Sequence, residues 1–227
     1  MTVNELHLFA GAGGGILASQ LLGHRCICAV ESNPYRQAVL VARQNDSSLS
    51  PFPIWDDVRT FDGSAWRGIA DCVVGGFPCQ AYSSAARGRN VADDLWPEMR
   101  RVVADVAPRY VLAENVKREP IDAAADDLES MGYTTRCIEI DAAFLGSPHR
   151  RPRFWLVANA DSEGESRCAL DAQVARVRSM ARLAWWEDEP CDLGIHDGVA
   201  HRMDRLAALG DGQVPVVAAT AFTLLKR

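Results

Sequence analysis

The sequence lacks what several broad classes of function require. No apolar run approaches the length of a membrane span, and Met1-Thr2-Val3-Asn4-Glu5 has neither the basic region nor the apolar stretch of a signal peptide. A cytoplasmic protein with no membrane partner is expected. Cysteine is not arranged for bridging or metal: the seven residues are an odd number, and Cys26 and Cys28 form a lone C-x-C with no second cysteine pair or paired histidines nearby. Reduced thiols and no metal site are the expectation. Excess positive charge is missing as well. A net charge of −6 argues against a general nucleic-acid coat, although an acidic body can still carry a locally basic cleft. Internal repeats and low-complexity tracts are absent.

What is present is enough apolar chain, 48% of 227 residues, to bury one substantial core. Short β-branched or apolar runs read as strands at Glu5-Phe9, Arg25-Glu31, Ile54-Val58, Asp71-Gly75, Tyr110-Glu114, Thr135-Ile140 and Phe154-Ala158. Between them the spacing predicts helices at Gly14-Leu22, Pro34-Gln44, Asp94-Val106 and Ile121-Met131, the first and last ending at Gly23 and Gly132. This alternation is that of an α/β fold with a largely parallel sheet. The rhythm stops after Ala158, where a charged stretch holding Trp185-Trp186 offers no convincing strand, and Val214 to Leu225 reads as a final helix returning to the sheet. The expected organisation is 1–158 as the α/β domain, 159–205 as a small insertion and 206–227 as the C-terminal helix.

In such a sheet ligands sit beyond the carboxyl ends of the strands. The first strand runs into Phe9-Ala10-Gly11-Ala12-Gly13-Gly14-Gly15, a turn that lets backbone approach a ligand at a helix N-terminus. Glu31, about twenty residues beyond Gly11, ends the second strand where ribose hydroxyls would donate to it. Together they suggest a nucleoside cofactor; a tight turn beside a surface acid is the alternative. Asp57 is a possible acceptor for an adenine amino group, or a turn residue. After the fourth strand comes Gly75-Gly76-Phe77-Pro78-Cys79-Gln80, which places Cys79 either as a nucleophile over the crevice or as a packed thiol. Glu114 ends the neighbouring strand, and a desolvated carboxyl there can protonate a ring nitrogen, unless it only orders a loop. Arg151 and Arg153, two apart in an extended segment, share a side and can jointly address a base, a phosphate or Glu114; a solvated basic face is the other reading.

In order, L-F-A-G-A-G-G (Leu8-Gly14), V-E-S-N-P (Val30-Pro34), D-D-V (Asp56-Val58), G-G-F-P-C-Q (Gly75-Gln80), E-N-V (Glu114-Val116), P-H-R-R-P-R (Pro148-Arg153) and G-D-G-Q-V-P (Gly210-Pro215) resemble the motifs of the cytosine-C5 DNA methyltransferases. The end of the chain, from Trp185-Pro190 to Asp197-Arg202, resembles the compact phage and prophage members. The resemblance implies a Rossmann-like S-adenosylmethionine-dependent fold with helices on both faces of the sheet and a very small target-recognition region. It also implies that S-adenosylmethionine is held by Phe9, Gly11, Ala12, Gly13, Glu31, Asp57, Val58, Pro78, Asp211 and Val214. Cys79, Glu114, Arg151 and Arg153 would be catalytic, and Gln80, Ser83, Arg87 and Arg89 would meet a flipped base in double-stranded DNA. A monomer acting in a bacterial or phage-infected cell, masking DNA from restriction, is the implied setting.

The chain departs from the family pattern in three places. His149 stands where many relatives have glutamine, Asp211 replaces the usual asparagine, and the recognition region is short, so a short or relaxed target sequence is expected. Asp211 would add a carboxylate near that of the cofactor, unfavourable unless it points away or is paired. Two other readings stay open: a tRNA cytosine-C5 methyltransferase, suggested by Lys117 after E-N-V, and a non-catalytic DNA-binding relative.

Overall fold

The computed structural model describes residues 2–78, 94–160 and 202–226. Among these residues seven strands form one sheet: β1 (Asn4–Leu8), β2 (Arg25–Val30), β3 (Ile54–Trp55), β4 (Cys72–Gly76), β5 (Tyr110–Asn115), β6 (Thr134–Asp141) and β7 (Pro152–Asn159). Their order is β3-β2-β1-β4-β5-β7-β6, with β7 antiparallel to both its neighbours and every other pairing parallel. The chain therefore reverses direction of travel between β1 and β4, and at that switch point the loops leaving the two strands part to open a crevice.

Helices cover both faces: α1 (Gly14–Leu22), α2 (Pro34–Asn45), α3 (Trp96–Val106), α4 (Arg118–Ser130), α5 (Arg202–Asp211) and α6 (Pro215–Leu225). Strand alternation decides which core each residue joins. Leu6, Leu8, Val73, Val111, Ala113, Leu156 and Ala158 pack with Met99, Val102, Val103, Ile121 and Leu128 of α3 and α4. The opposite parity, Val74, Leu112, Trp155 and Val157, packs with Ala18 of α1 and with Val217, Ala218, Ala221 and Phe222 of α6. A bulge between Glu5 and Leu6 in the β1–β2 register leaves Ile27 unpaired, so Cys26 and Cys28 join different core clusters.

The helix ends follow local chemistry. Asn33 caps α2 by accepting the N–H groups of Tyr35 (2.9 Å) and Arg36 (3.2 Å), with Pro34 at the first helical position. Gly23 ends α1 in the left-handed region at φ 71°.

Two sequence expectations need correction. The third strand stops at Trp55 rather than Val58, because the Asp57 carboxylate accepts the Arg59 N–H at 2.9 Å and its carbonyl the Thr60 N–H at 3.1 Å, turning the chain. At the other end, the helix read at Val214 to Leu225 is α6 (Pro215–Leu225), but the span 206–227 is not one helix, because it also takes in the last residues of α5. The stretch Arg202–Leu225 does reach the length of a membrane span, and an 18-residue window within it has a mean hydropathy of 1.3. It is nevertheless divided at Gly212-Gln213-Val214, since Pro215 holds Val214 extended (φ −80°, ψ 116°), and the apolar face of α6 is buried in the core.

Candidate functional site

On the β1–β2 side, the turn after β1 alternates left-handed residues, with Phe9 at φ 53°, Gly11 at 58° and Gly13 at 94°. Such alternation turns successive N–H groups toward one concavity. Gly13 opens α1 with no capping side chain, and open space surrounds the Cβ position of Gly11, so the helix N-terminus faces an accessible turn. Glu31 is buried at the end of β2. One of its oxygens accepts the Gly11 N–H at 2.7 Å and the other the Asn33 N–H at 2.8 Å, which leaves a lone pair on each for a hydroxyl donor. Asp57 lies partly exposed beside this edge, while Val58 is buried in the core and presents only backbone. Arg101, which the sequence reading passed over, holds that loop in place: its guanidinium donates to the carbonyls of Val58 (2.6 Å) and Phe61 (3.0 Å) and pairs with Glu98 and Asp105.

Across the switch point, β4 and β5 run in register with Gly76 beside Glu114, so the chain leaving β4 through Phe77 and Pro78 starts next to that carboxyl. Asn115 fixes the exit, donating from Nδ2 to the Phe77 carbonyl at 3.0 Å, and the Leu95 N–H returns to the Pro78 carbonyl at 3.1 Å. Cys79, Gln80, Ser83, Arg87 and Arg89 lie outside the described residues, between those two anchors. Glu114 shares the α1/α6 face with Trp155 directly opposite it on β7 and Arg153 diagonally across. The Arg153 Nε is 3.2 Å from Glu114 Oε1. Burial pushes the Glu114 carboxyl up to about 7, only partly offset by Arg153, Arg151 and a hydrogen bond from Gln213.

The two arginines divide their work. Arg153 pairs with Glu114, whereas the Arg151 guanidinium donates to the carbonyls of Gly210 (2.6 Å) and Gly212 (2.8 Å), tying the α5–α6 link to the site. Asp211 turns outward and pairs with Arg36 of α2, so its charge is matched. Val214, at the start of α6, lines a small cleft with Glu114, Arg151, Arg153, Trp155, Gly212, Gln213 and Val217. The indole N–H of Trp155 is buried there without a hydrogen-bond partner among the described residues. His149 is exposed and hydrogen-bonds the Ser147 hydroxyl at 2.8 Å.

Set against known proteins, residues 3–180 match the family of C-5 cytosine-specific DNA methylases. The chain belongs to that family. Among curated relatives of this methylase are the type II methyltransferase M1.HphI of Haemophilus parahaemolyticus, 30% identical over 71% of this chain and 47% of the relative. M.PspPI of Psychrobacter sp. (strain TA137) is 31% identical over 67% of this chain and 38% of its own. The chain thus spans about half the length, or less, of these relatives. An E. coli prophage-encoded protein assigned to the DNA modification methyltransferases superposes with a TM-score of 0.55 and 25% identity over 70% of this chain and 47% of that one. Spodoptera frugiperda DNMT2 has the same fold, with a TM-score of 0.59 and 17% identity over 74% of this chain and 53% of that one. The methylase fold is the seven-stranded, mostly parallel Rossmann-like sheet described above.

Proposed function

We propose that the chain transfers a methyl group from S-adenosylmethionine to C5 of cytosine in double-stranded DNA, as part of restriction-modification in a bacterial or phage-infected cell. The observation that carries the reading is Glu114, an acid buried beside Arg153 with its carboxyl raised to about 7, one strand away from the segment that leads into Cys79. An acid half-protonated near neutral pH can donate a proton and take it back within one cycle.

S-adenosylmethionine would supply an electrophilic methyl group. Its site fits the residues present: the open turn Phe9, Gly11, Ala12 and Gly13 at the uncapped start of α1, Glu31 for the ribose, Asp57 and the Val58 backbone for the adenine, and Pro78 and Val214 along the crevice. Asp211, paired to Arg36, would border it without an unmatched charge.

The chain's own residues then divide the chemistry. With the base flipped from the duplex, the Cys79 thiolate bonds to C6 while Glu114 gives its proton to N3, so that the electron pair of the C5–C6 double bond gathers at C5. Arg153 holds the Glu114 carboxyl in place and Arg151 keeps the α5–α6 link against it. Once C5 carries the methyl group, a water molecule takes the C5 proton, the C5–C6 double bond reforms as the Cys79 thiolate leaves C6, and the proton on N3 returns to Glu114. Gln80, Ser83, Arg87 and Arg89 would line the base and backbone. A domain division at 1–158, 159–205 and 206–227, with the middle part reading a short target sequence, goes with this function.

The test is transfer of labelled methyl from S-adenosylmethionine to unmethylated plasmid DNA, with Cys79→Ala alongside and bisulfite sequencing of the product. Methylated cytosines that vanish in the variant are expected. DNA left unlabelled by the unaltered chain would overturn the reading.

A further inference from the structure

The link between α5 and α6 enters a slot built from glycine. A Cβ on Gly14 would lie 2.1 Å from the Gln213 carbonyl oxygen, one on Gly15 would lie 2.6 Å from Gln213 Oε1, and one on Gly76 would lie 3.4 Å from Gln213 Nε2 and 2.8 Å from Glu114 Oε2. Two strand-to-helix regions far apart in sequence have therefore left out side chains around a single glutamine. Its amide has one favourable orientation. The oxygen faces the first turn of α1, where helix N–H groups and partial positive charge gather, and the NH₂ faces the carboxylate it hydrogen-bonds. Arg151 clamps the link from outside through Gly210 and Gly212.

We propose that Gln213 is a positioning residue for Glu114: its carboxamide, locked between the α1 N-terminus and the end of β4, fixes the direction in which the Glu114 carboxyl points. The role given to Glu114 rests on the reading above; the contact itself does not. Because an N–H donated to a carboxylate favours the ionised form, Gln213 also offsets part of the effect of burial on Glu114. The other charged or titratable groups facing this slot are Arg153 on β7, Arg151 before it, and His7 on β1, whose Nδ1 lies 3.3 Å from the Gly15 Cβ position; Asp211, next in the link, turns outward but interacts with Arg151.

Gln213→Met keeps the length of the side chain and removes the donor, and Gln213→Ala removes both. The experiment is carbon-13 NMR titration of the full chain labelled at glutamate, with Glu114→Gln to assign the signal, followed by the pH profile of methyl transfer. In both Gln213 variants the Glu114 midpoint should move up from about 7 by roughly half to one pH unit. The alkaline limb of the rate profile should follow it, while the plateau rate falls roughly tenfold as the carboxyl loses its alignment. A residue that only fills space would lower the rate without moving the midpoint. An unmoved midpoint in both variants overturns the inference while leaving methyl transfer by the unaltered chain intact. The converse result, a moved midpoint in a chain that methylates no DNA, sinks the proposed function and keeps the contact.

Discussion

Glu5 and Glu114 are both buried carboxylates on the α1/α6 face of the same sheet, 2% and 7% exposed, and their environments drive them in opposite directions. Around Glu5, burial raises the carboxyl, but His24 (2.6 Å), His7 (3.0 Å) and the Ser19 hydroxyl all contact its oxygens and together hold it down to about 2. Around Glu114, burial dominates: the Arg153 ion pair, the more distant Arg151 charge and one amide leave it at about 7. Full compensation makes a structural anion that anchors α1 to β1. Partial compensation leaves a group able to exchange a proton near neutral pH. Two carboxyls on one scaffold are thus separated by the number of donors each receives.

The largest test of this contrast is Glu114→Gln. Methyl transfer to DNA should fall by roughly 10²- to 10⁴-fold with the proton donor gone. Stability should move the other way. The folded value of Glu114, about 7, lies above the ordinary 4.5, so the folded protein holds this proton more tightly than the unfolded chain does, and stability declines as pH rises from 4.5 through 7. The glutamine variant lacks that decline and should be ~1–3 kcal/mol more stable than the unaltered chain at pH 8, with the two converging near pH 5. Urea melts at both pH values measure it; a less stable variant at pH 8 would show that Glu114 is compensated like Glu5.

Glu5→Gln should give the mirror image. Transfer per folded molecule should stay within a few-fold, because Glu5 is buried in β1 and its oxygens are taken up by His7, Ser19 and His24. Stability at neutral pH should drop by about 2–4 kcal/mol as two histidines and a serine lose their shared acceptor. The folded value of Glu5 is depressed below 4.5, so its contribution, about 3 kcal/mol, is complete above pH 4.5 and is lost as pH falls toward 2. The acid side of the unaltered chain's stability curve should therefore flatten in the variant. A rate loss as large as that of Glu114→Gln would end the distinction between the two carboxyls.

Why one of these acids was legible in the sequence and the other was not follows from strand position. Glu114 ends a strand beside another strand that leads to Cys79, and the rule that ligands gather at carboxyl ends singles it out. Glu5 and His7 alternate with Leu6 and Leu8 in β1, a pattern that ordinarily reads as one wet face. The strand is central, however, and α1 and α6 cover that face, so the polar residues had to satisfy one another. The roles of Asn115, Arg101 and Gln213 were hidden for a different reason. Each acts through a contact distant in sequence, to Phe77, Val58 and Glu114 respectively, and such contacts have no periodicity to read. Most helices and strands were legible because apolar spacing and caps are local. The early end of β3 and the break before Pro215 came from side-chain turns and a proline that interrupted otherwise apolar stretches.

The smallest expected effect concerns Asp211, which would border the proposed cofactor site. An unmatched carboxylate there would repel that of S-adenosylmethionine and weaken binding. Arg36, its side chain 18% exposed, instead holds Asp211, its own 66% exposed, in an ion pair that largely cancels the charge. Pairs this open contribute no more than about 1 kcal/mol and weaken with salt. Asp211→Asn should therefore change the affinity for S-adenosylmethionine, read by calorimetry, by less than roughly threefold. Arg36→Ala should weaken binding more than Asp211→Asn does, because it leaves the carboxylate unpaired beside the crevice, and the double variant should recover most of that loss. Tighter binding by an order of magnitude in Asp211→Asn alone would show that the ion pair fails to neutralise the acid, and that this link, unlike the surroundings of Glu5, tolerates a carboxylate without matched donors.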